Sequence, residues 1–115
     1  MRVLVTGSTG FVGMNVVRRL LELGDEVVAL YRTPPIPEGL EFVAPWQSKV
    51  KFVEADVEDS ARLSQITRTE KPQGFIHAAA VTPRPPMEKE RPHYVMNINL
   101  MGTVHALDAA RDAGV

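Results

Sequence analysis

The chain has 115 residues, which is enough for one compact domain and too few for two. Its hydrophobic content of 44% and charged content of 23% are typical of a soluble globular protein. The net charge of -1 gives no reason to expect binding to nucleic acid or to an anionic membrane, and the absence of cysteine excludes disulfides and thiolate metal sites.

The first part of the chain predicts two buried strands joined by a helix. Arg2–Val5 is almost wholly apolar, as is typical of strands covered on both faces of a parallel sheet. From Phe11 to Leu23 apolar residues recur at helical spacing, and Gly24 is placed to end this helix. The predicted apolar face consists of Val12, Val16, Leu20 and Leu23. Glu26–Tyr31 predicts a second buried strand.

The middle of the chain predicts one loop, one strand and one helix. Residues 33–49 are rich in proline and show no clear period, so we expect a loop there. Val50–Glu54 predicts a third strand. Asp59 or Ser60 can cap a helix that runs from about residue 61 to residue 70.

The last part predicts a strand, a proline-rich loop and a long helix. Residues 74–80 form the fourth predicted strand, and residues 92–113 form the helix. The predicted apolar stripe of this helix consists of Val95, Ile98, Met101, Val104 and Leu107. Strands that alternate with helices indicate an α/β fold with a doubly wound parallel sheet, in the strand order third, second, first, fourth.

Three evenly spaced glycines lie between the first strand and the first helix. Gly7 would allow a sharp turn, Gly10 would let a pyrophosphate approach the helix N-terminus, and Gly13 would allow tight packing of the helix on the sheet. The alternative is a glycine-rich turn without chemical meaning. The strand before the loop and the helix and strand after it favour dinucleotide binding.

The stretch "TGSTGFVG" resembles the cofactor loop of extended short-chain dehydrogenases/reductases, the NAD(P)-dependent epimerase/dehydratase family. "EADVED", "HAAA" and "NINLMGTVHALDAARDAGV" follow in the order in which that family carries similar stretches, so the resemblance covers essentially the whole chain. It implies an incomplete Rossmann-like fold. Residues 1–115 would be the N-terminal half of an NAD(P)-binding domain, with the substrate domain absent.

The resemblance also implies roles for individual residues. Asp56 and Val57 would meet the adenine ring, the alanines after His77 would leave room for the cofactor backbone, and Asn99 would be the structural asparagine of the catalytic tetrad. The full set of predicted cofactor-binding residues is Gly7, Ser8, Thr9, Gly10, Phe11, Val12, Gly13, Tyr31, Arg32, Asp56, Val57, Ala78, Ala79, Ala80 and Thr82.

The end of the second strand favours NADP over NAD. NAD-binding members usually carry an acidic residue there, which accepts hydrogen bonds from the ribose 2′-hydroxyl. This chain has Tyr31 followed by Arg32, so no carboxylate would repel a 2′-phosphate and a guanidinium would be available to bind it. The alternative is that Arg32 is simply solvated.

Three histidines and one arginine are further candidates for catalysis, metal binding or substrate binding, but they do not determine the function. His77 is interpreted as structural rather than catalytic, and His93 and His105 do not suggest a metal site. Arg84 either holds an anionic substrate group or is a solvated loop charge.

Catalysis in this family depends on a Tyr-x-x-x-Lys pair, and neither Tyr31 nor Tyr94 is followed by lysine at the required position. We therefore expect the cofactor-binding part of an NAD(P)-dependent epimerase, dehydratase or reductase, which transfers hydride on a nucleotide sugar or similar small molecule. The alternatives are a non-catalytic NADP sensor or scaffold, and a half-domain that forms a homo-oligomer through its open sheet edge. No apolar run has the length of a membrane span or a signal peptide, so a cytoplasmic location is expected.

Overall fold

The computed structural model describes residues 1–115 and contains one parallel sheet. Its strands are β1 (Arg2–Thr6), β2 (Glu26–Tyr31), β3 (Val50–Glu54) and β4 (Gly74–His77). They lie in the order β3-β2-β1-β4, and all neighbours are parallel. The predicted doubly wound, Rossmann-like arrangement is therefore confirmed, although β4 ends at residue 77 rather than residue 80.

The helices are α1 (Phe11–Glu22), α2 (Pro37–Val43), α3 (Ser60–Glu70), α4 (Pro85–Glu90), α5 (Pro92–Met96) and α6 (Gly102–Asp112). A short 3-10 turn, Ala44–Trp46, follows α2, and a π-helical segment, Asn97–Met101, joins α5 to α6. None of these helices has the length and apolar character that crossing a membrane requires.

The apolar residues of β1 face two separate layers of the core. Val3 and Val5 pack in one cluster with α1 and β2, whereas Leu4 packs in a second cluster that includes α3 and α6. Successive side chains of a strand point to opposite faces, so a strand covered on both sides needs apolar residues throughout. This is the reason for the nearly continuous apolar sequence of β1.

The predicted apolar face of α1 is only partly correct. Val16 and Leu20 are partly buried against the core, but Val12 and Leu23 are 65% and 62% exposed. The fully buried residues are instead Gly13, Met14, Val17 and Leu21. Both sets have helical spacing, so the spacing alone does not identify the buried side. Gly13 belongs to the buried set and packs closely against the loop before the helix.

The loop predicted for residues 33–49 contains a helix. Pro37 is the first residue of α2, where a missing N–H breaks no helical hydrogen bond. Val43 is buried and Trp46 packs against the same core cluster. The guanidinium of Arg18 lies 4.2 Å from the ring centre of Phe42. Tertiary packing therefore stabilises a helix that the sequence pattern does not show.

The long helix predicted for residues 92–113 is divided by the π-helical segment, and the second half of its predicted stripe is wrong. Ile98 is buried, but Met101, Val104 and Leu107 are exposed. The buried residues of α6 are instead the small ones, Gly102, Ala106 and Ala109. Small side chains allow α6 to lie close to its neighbours, so its contact face contains no large apolar residue. The proline-rich loop before it contains the short helix α4.

The predicted helix ends at residues 24 and 59 are confirmed. Gly24 has φ +93°, and the N–H groups of Gly24 and Asp25 donate to Leu21 and Leu20 at the end of α1. At the start of α3, the carboxylate of Asp59 accepts a hydrogen bond from the Arg62 N–H at 2.9 Å.

Candidate functional site

A cavity of about 370 Å³ lies at the carboxyl edge of the sheet. Every strand is followed by a segment that lines it, which is where open α/β sheets bind ligands. The lining residues are Gly7, Thr9 and Gly10 after β1; Arg32, Thr33, Pro34 and Ile36 after β2; Ala55, Asp56 and Val57 after β3; Ala78, Ala79, Ala80 and Val81 after β4; and Ile98.

Gly7 is required by its backbone and by its surroundings. Its φ of +64° is in the left-handed region, and a Cβ there would lie 2.6 Å from the backbone N and Cα of Ala79. The sharp turn predicted after β1 therefore brings the loop against the segment that follows β4. These two segments form adjacent parts of the cavity lining.

Gly13 serves the packing of the helix start. A Cβ at Gly13 would lie 2.0 Å from the carbonyl oxygen of Gly7, so no larger residue fits without moving the loop. Tight packing is what the sequence predicts at this position. The closest atoms nevertheless belong to the glycine loop itself, Gly7 and Ser8, rather than to the sheet.

Gly10 differs from the other two because protein atoms do not crowd it. A Cβ there would have one contact, at 3.4 Å from the Gly7 carbonyl oxygen, and Gly10 lines the cavity. The helix that follows has no side-chain cap and no acidic residue in its first turn. The first N–H groups of a helix have no intrahelical partner and carry partial positive charge, so this end of α1 favours an anion.

The glycine loop is tied to the end of β2 by two hydroxyl groups. Ser8 Oγ donates to the Leu30 carbonyl at 2.8 Å, and Thr9 Oγ1 donates to the Thr33 carbonyl at 2.8 Å. Ser8 is fully buried, so its side chain holds the loop and does not reach the cavity. Thr9 does line the cavity.

His77 links β1 to the start of α6 through hydrogen bonds at both ring nitrogens. Thr103 Oγ1 donates to the Asn99 carbonyl at 2.8 Å, so it can accept from His77 Nε2 at 3.2 Å. Thr6 Oγ1 accepts from the N–H groups of Ala78 and Ala79, which leaves its own proton for His77 Nδ1 at 2.7 Å. Burial lowers the pKa of His77, in agreement with a neutral ring. This arrangement gives His77 the structural role that the sequence predicts.

Asn99 lies in the π-helical segment and binds the backbone after β4. Its Oδ1 accepts from the Val81 N–H at 2.8 Å, and its Nδ2 donates to the Val81 carbonyl at 2.8 Å. Val81 lines the cavity, so the amide holds part of the lining in place. Asn99 itself does not reach the cavity.

The segment after β3 is held from two sides. Asp56 Oδ1 accepts from the Glu58 N–H at 2.9 Å, and His105 Nδ1 donates to the Val57 carbonyl at 2.7 Å. Gly102 is so close that a Cβ there would lie 2.8 Å from Val57 Cγ2. Val57 is therefore fixed in the lining, where Ile98 adds a second apolar side chain.

Arg32 lines the cavity and is hydrogen-bonded to Tyr94, which lies 62 positions later in the chain. Its Nη1 donates to Tyr94 Oη at 2.7 Å, which raises the pKa of Arg32 further; Asp56 and Glu58 add smaller electrostatic contributions in the same direction. The Arg91 guanidinium lies 4.2 Å from the centre of the Tyr94 ring. Tyr31 ends β2 but does not line the cavity.

The structure brings nine of the predicted cofactor-binding residues to the cavity and leaves six outside it. Those outside are Ser8, Phe11, Val12, Gly13, Tyr31 and Thr82. Phe11 is 89% exposed, and Thr82 is also exposed, as is Arg84. No group of three or more acidic or histidine side chains lies close enough to hold a metal ion.

Six lining residues were not predicted: Thr33, Pro34, Ile36, Ala55, Val81 and Ile98. All but Ile98 lie in segments that follow a strand. Because open α/β sheets bind ligands at the carboxyl ends of their strands, the sequence does allow these residues to be predicted. Ile98 was assigned to a core stripe, and it is indeed buried while also lining the cavity. No sequence signal distinguishes these two roles.

The chain is similar in sequence to a known family and to curated proteins. The NAD dependent epimerase/dehydratase family matches residues 3–115 of the chain. The UDP-glucose 4-epimerase of Lactobacillus helveticus is 36% identical over 100% of the chain and 33% of its own length. The dTDP-4-dehydro-6-deoxy-D-allose reductase of Streptomyces bikiniensis is 31% identical over 98% of the chain and 35% of its own length.

The structural comparison agrees with the sequence comparison. The UDP-glucose 4-epimerase of Thermus thermophilus, solved in complex with NAD, superposes with a TM-score of 0.82 and 32% identity. The match covers 100% of this chain and 35% of that one. The chain thus spans about a third of the length of the relatives it matches.

Proposed function

Because the chain belongs to the NAD dependent epimerase/dehydratase family, we propose that it forms the nucleotide-binding part of a nicotinamide-dependent enzyme that acts on nucleotide-linked sugars. One observation carries the proposal. At Gly10 the loop leaves a space that a Cβ would partly fill, beside the unpaired N–H groups of α1 and inside a cavity at the carboxyl edge of the sheet. The names of the relatives support the sugar-nucleotide part.

The lining residues fit the parts of a dinucleotide. Gly10 and the start of α1 would hold the pyrophosphate, because backbone N–H groups and the helix dipole favour an anion. Val57 and Ile98 would contact the adenine through their apolar side chains, with Asp56 beside them. Ala78 to Val81 would leave room for the remainder of the cofactor, since their side chains are small up to Val81.

The bound cofactor would supply the hydride acceptor or donor. Arg32 and Asp56 are the titratable residues that line the cavity, and both lie beside the proposed adenosine end. We therefore assign these 115 residues to holding and orienting the cofactor, not to proton transfer. Asn99 would contribute by holding the backbone of Val81 in place, which is the structural role that the resemblance implies for this asparagine of the catalytic tetrad.

We further propose that NADP is preferred to NAD. Arg32 lines the cavity, and no carboxylate forms an ion pair with it. Asp56 already accepts a hydrogen bond from the Glu58 N–H. A guanidinium with unused donors is suited to a 2′-phosphate. The Thermus relative was solved with NAD, so the opposite preference is the competing assignment.

A second candidate is a nucleotide-binding protein without catalysis. The observation that favours it is the same composition of the lining, in which the segment after β4 contributes no titratable residue. The two candidates share the binding site and differ in turnover. Because the chain has no Tyr-x-x-x-Lys pair, the discriminating assay is hydride transfer by a protein in which these residues are joined to such a pair, measured as a change in NADPH absorbance with UDP-sugars or their oxidised forms.

Calorimetric titration of the chain with NADPH and NADH tests the proposed site. We expect both to bind and NADPH to bind more tightly. Arg32→Ala should weaken NADPH binding much more than NADH binding, whereas Arg111→Ala, a charge loss outside the cavity, should change neither. Absence of binding by either dinucleotide would refute the site. Equal losses in Arg32→Ala would refute only the NADP preference.

A further inference from the structure

The hydrogen bond between Arg32 and Tyr94 joins two segments that are 62 positions apart in the chain. Arg32 follows β2, and Tyr94 lies in α5. The bond is 2.7 Å long, and it is the only side-chain hydrogen bond of either residue. This contact restricts the positions that the guanidinium of Arg32 can take.

The bond leaves the rest of the guanidinium free for a ligand. Arg32 lines the cavity and Tyr94 does not, so the hydroxyl holds the guanidinium from outside the lining. The bond uses Nη1, and the guanidinium has further N–H donors that no other protein group occupies.

Tyr94 is itself held in place. The Arg91 guanidinium lies 4.2 Å from the centre of its ring, and the Tyr94 N–H donates to the Arg91 carbonyl at 3.1 Å. A half-buried tyrosine with two χ angles and such contacts is a more rigid anchor than a long flexible side chain. The anchored hydroxyl therefore reduces the conformational freedom that Arg32 would otherwise lose when a ligand binds.

The chemistry of the anchor also matters. A carboxylate at this position would orient Arg32 but would neutralise its charge. The phenol hydroxyl accepts the hydrogen bond while remaining uncharged, so the full positive charge stays available to an anion. Arg91, on the other side of the tyrosine, adds a second positive charge nearby.

We infer that Tyr94 is a positioning residue for cofactor selection, which holds Arg32 ready to bind the 2′-phosphate of NADP. This inference rests on the proposed function. It concerns a residue that acts through Arg32 and makes no contact with the cofactor itself.

The test uses the purified 115-residue chain and two probes that differ only in the 2′-phosphate, adenosine 2′,5′-bisphosphate and AMP. Tyr94→Phe removes the hydroxyl and keeps the ring that Arg91 contacts. We expect this variant to bind the bisphosphate roughly 2- to 10-fold more weakly, the range of one net hydrogen bond. Its affinity for AMP should not change, which also shows that the site is intact.

Arg32→Ala and the double variant separate positioning from direct contact. In the Arg32→Ala background, Tyr94→Phe should have no further effect on either probe. A further loss of bisphosphate binding there would show direct contact and overturn the inference. Tighter binding by Tyr94→Phe would overturn it as well, because the hydroxyl would then compete with the phosphate for Arg32.

Failure of the inference and failure of the proposed function give different results. If Arg32→Ala loses the bisphosphate selectively but Tyr94→Phe does not, the inference is wrong and the NADP preference stands. If the unaltered chain binds the bisphosphate no more tightly than AMP, the NADP preference is wrong and the inference falls with it. If neither probe binds, the proposed cofactor site is refuted.

Discussion

The side-chain amide of Asn99 binds both backbone polar groups of Val81, each at 2.8 Å. Asparagine is suited to this contact because its amide carries an acceptor and a donor next to each other. The contact connects the π-helical segment to the irregular chain after β4. It therefore links the position of one part of the cavity lining to the last helical region of the chain.

Replacing Asn99 by aspartate should weaken both stability and cofactor binding. The donor to the Val81 carbonyl is lost and a carboxylate faces that carbonyl, so we expect the free energy of unfolding to fall by about 1–3 kcal/mol. Urea denaturation and dinucleotide titration measure the two effects. Asn97→Asp is the matched control, because Asn97 is exposed and its side chain forms no hydrogen bond within the protein. Equal behaviour of the two variants would contradict the role of Asn99.

Gly10→Ala should separate binding from folding. The new methyl group would be added to a residue that lines the cavity and would meet the protein only at 3.4 Å, an ordinary contact distance. We expect dinucleotide affinity to fall at least tenfold while the free energy of unfolding changes by no more than about 1 kcal/mol. Gly74→Ala is the control, since it adds the same methyl group at the start of β4, where the nearest atom is 3.6 Å away. Unchanged affinity in Gly10→Ala would argue against a pyrophosphate at that position.

Gly13→Ala should have the opposite effect, with stability as the main loss. Its methyl group would lie 2.0 Å from the Gly7 carbonyl oxygen, so the loop or the helix must move. Overpacking of this kind typically costs about 1–3 kcal/mol, and thermal unfolding would detect it. A Gly13→Ala chain as stable as the unaltered one would show that the loop yields without cost.

Stability should fall when His77 is protonated. Burial lowers the pKa of His77 in the folded chain, so the unfolded chain takes up a proton first as the pH falls. The loss of stability begins near the unfolded pKa of about 6.5 and continues down to the lower folded pKa; above that window His77 has no effect. Urea denaturation between about pH 7 and pH 5 measures it. His77→Gln should reduce this slope, and an unchanged slope in that variant would contradict the assignment.

Asp59→Ala should destabilise α3, because the Asp59 carboxylate accepts from the Arg62 N–H at 2.9 Å. Loss of such a cap costs about 1 kcal/mol, and urea denaturation resolves this amount. Ser60→Ala provides the comparison, since the sequence allows either residue as the cap and the structure selects Asp59. A larger loss in Ser60→Ala would reverse that selection.

The strands and the site were predictable because their signals are local. The bounds of β2 follow from a short apolar run and those of β3 from a weak alternation of apolar and charged residues. The turn at Gly7 is indicated by a glycine directly after a strand. Asp56, Val57 and the alanines after His77 were expected from the family resemblance, and they do line the cavity. They lie together because the carboxyl ends of parallel strands lie at one edge of a sheet.

The faces of the helices were not predictable, because they depend on contacts between distant residues. In α1 two sets of residues have helical spacing, and the buried set is the one that contains Gly13, which packs against Gly7. In α6 small residues are buried, and the larger Val104 and Leu107 are exposed. The partnership of Arg32 and Tyr94 joins residues with no common motif, so only the folded chain reveals it.

The π-helical segment Asn97–Met101 has the effect of one residue inserted into a continuous helix. Each residue turns an α-helix by about 100°, so the segment sets the rotation of α5 relative to α6. Deleting the exposed Leu100, which does not line the cavity, would leave His105 and Gly102 at Val57 but would turn Tyr94 away from Arg32. A length change of one residue, far from the glycine loop, would thus alter the cavity without replacing any residue that lines it.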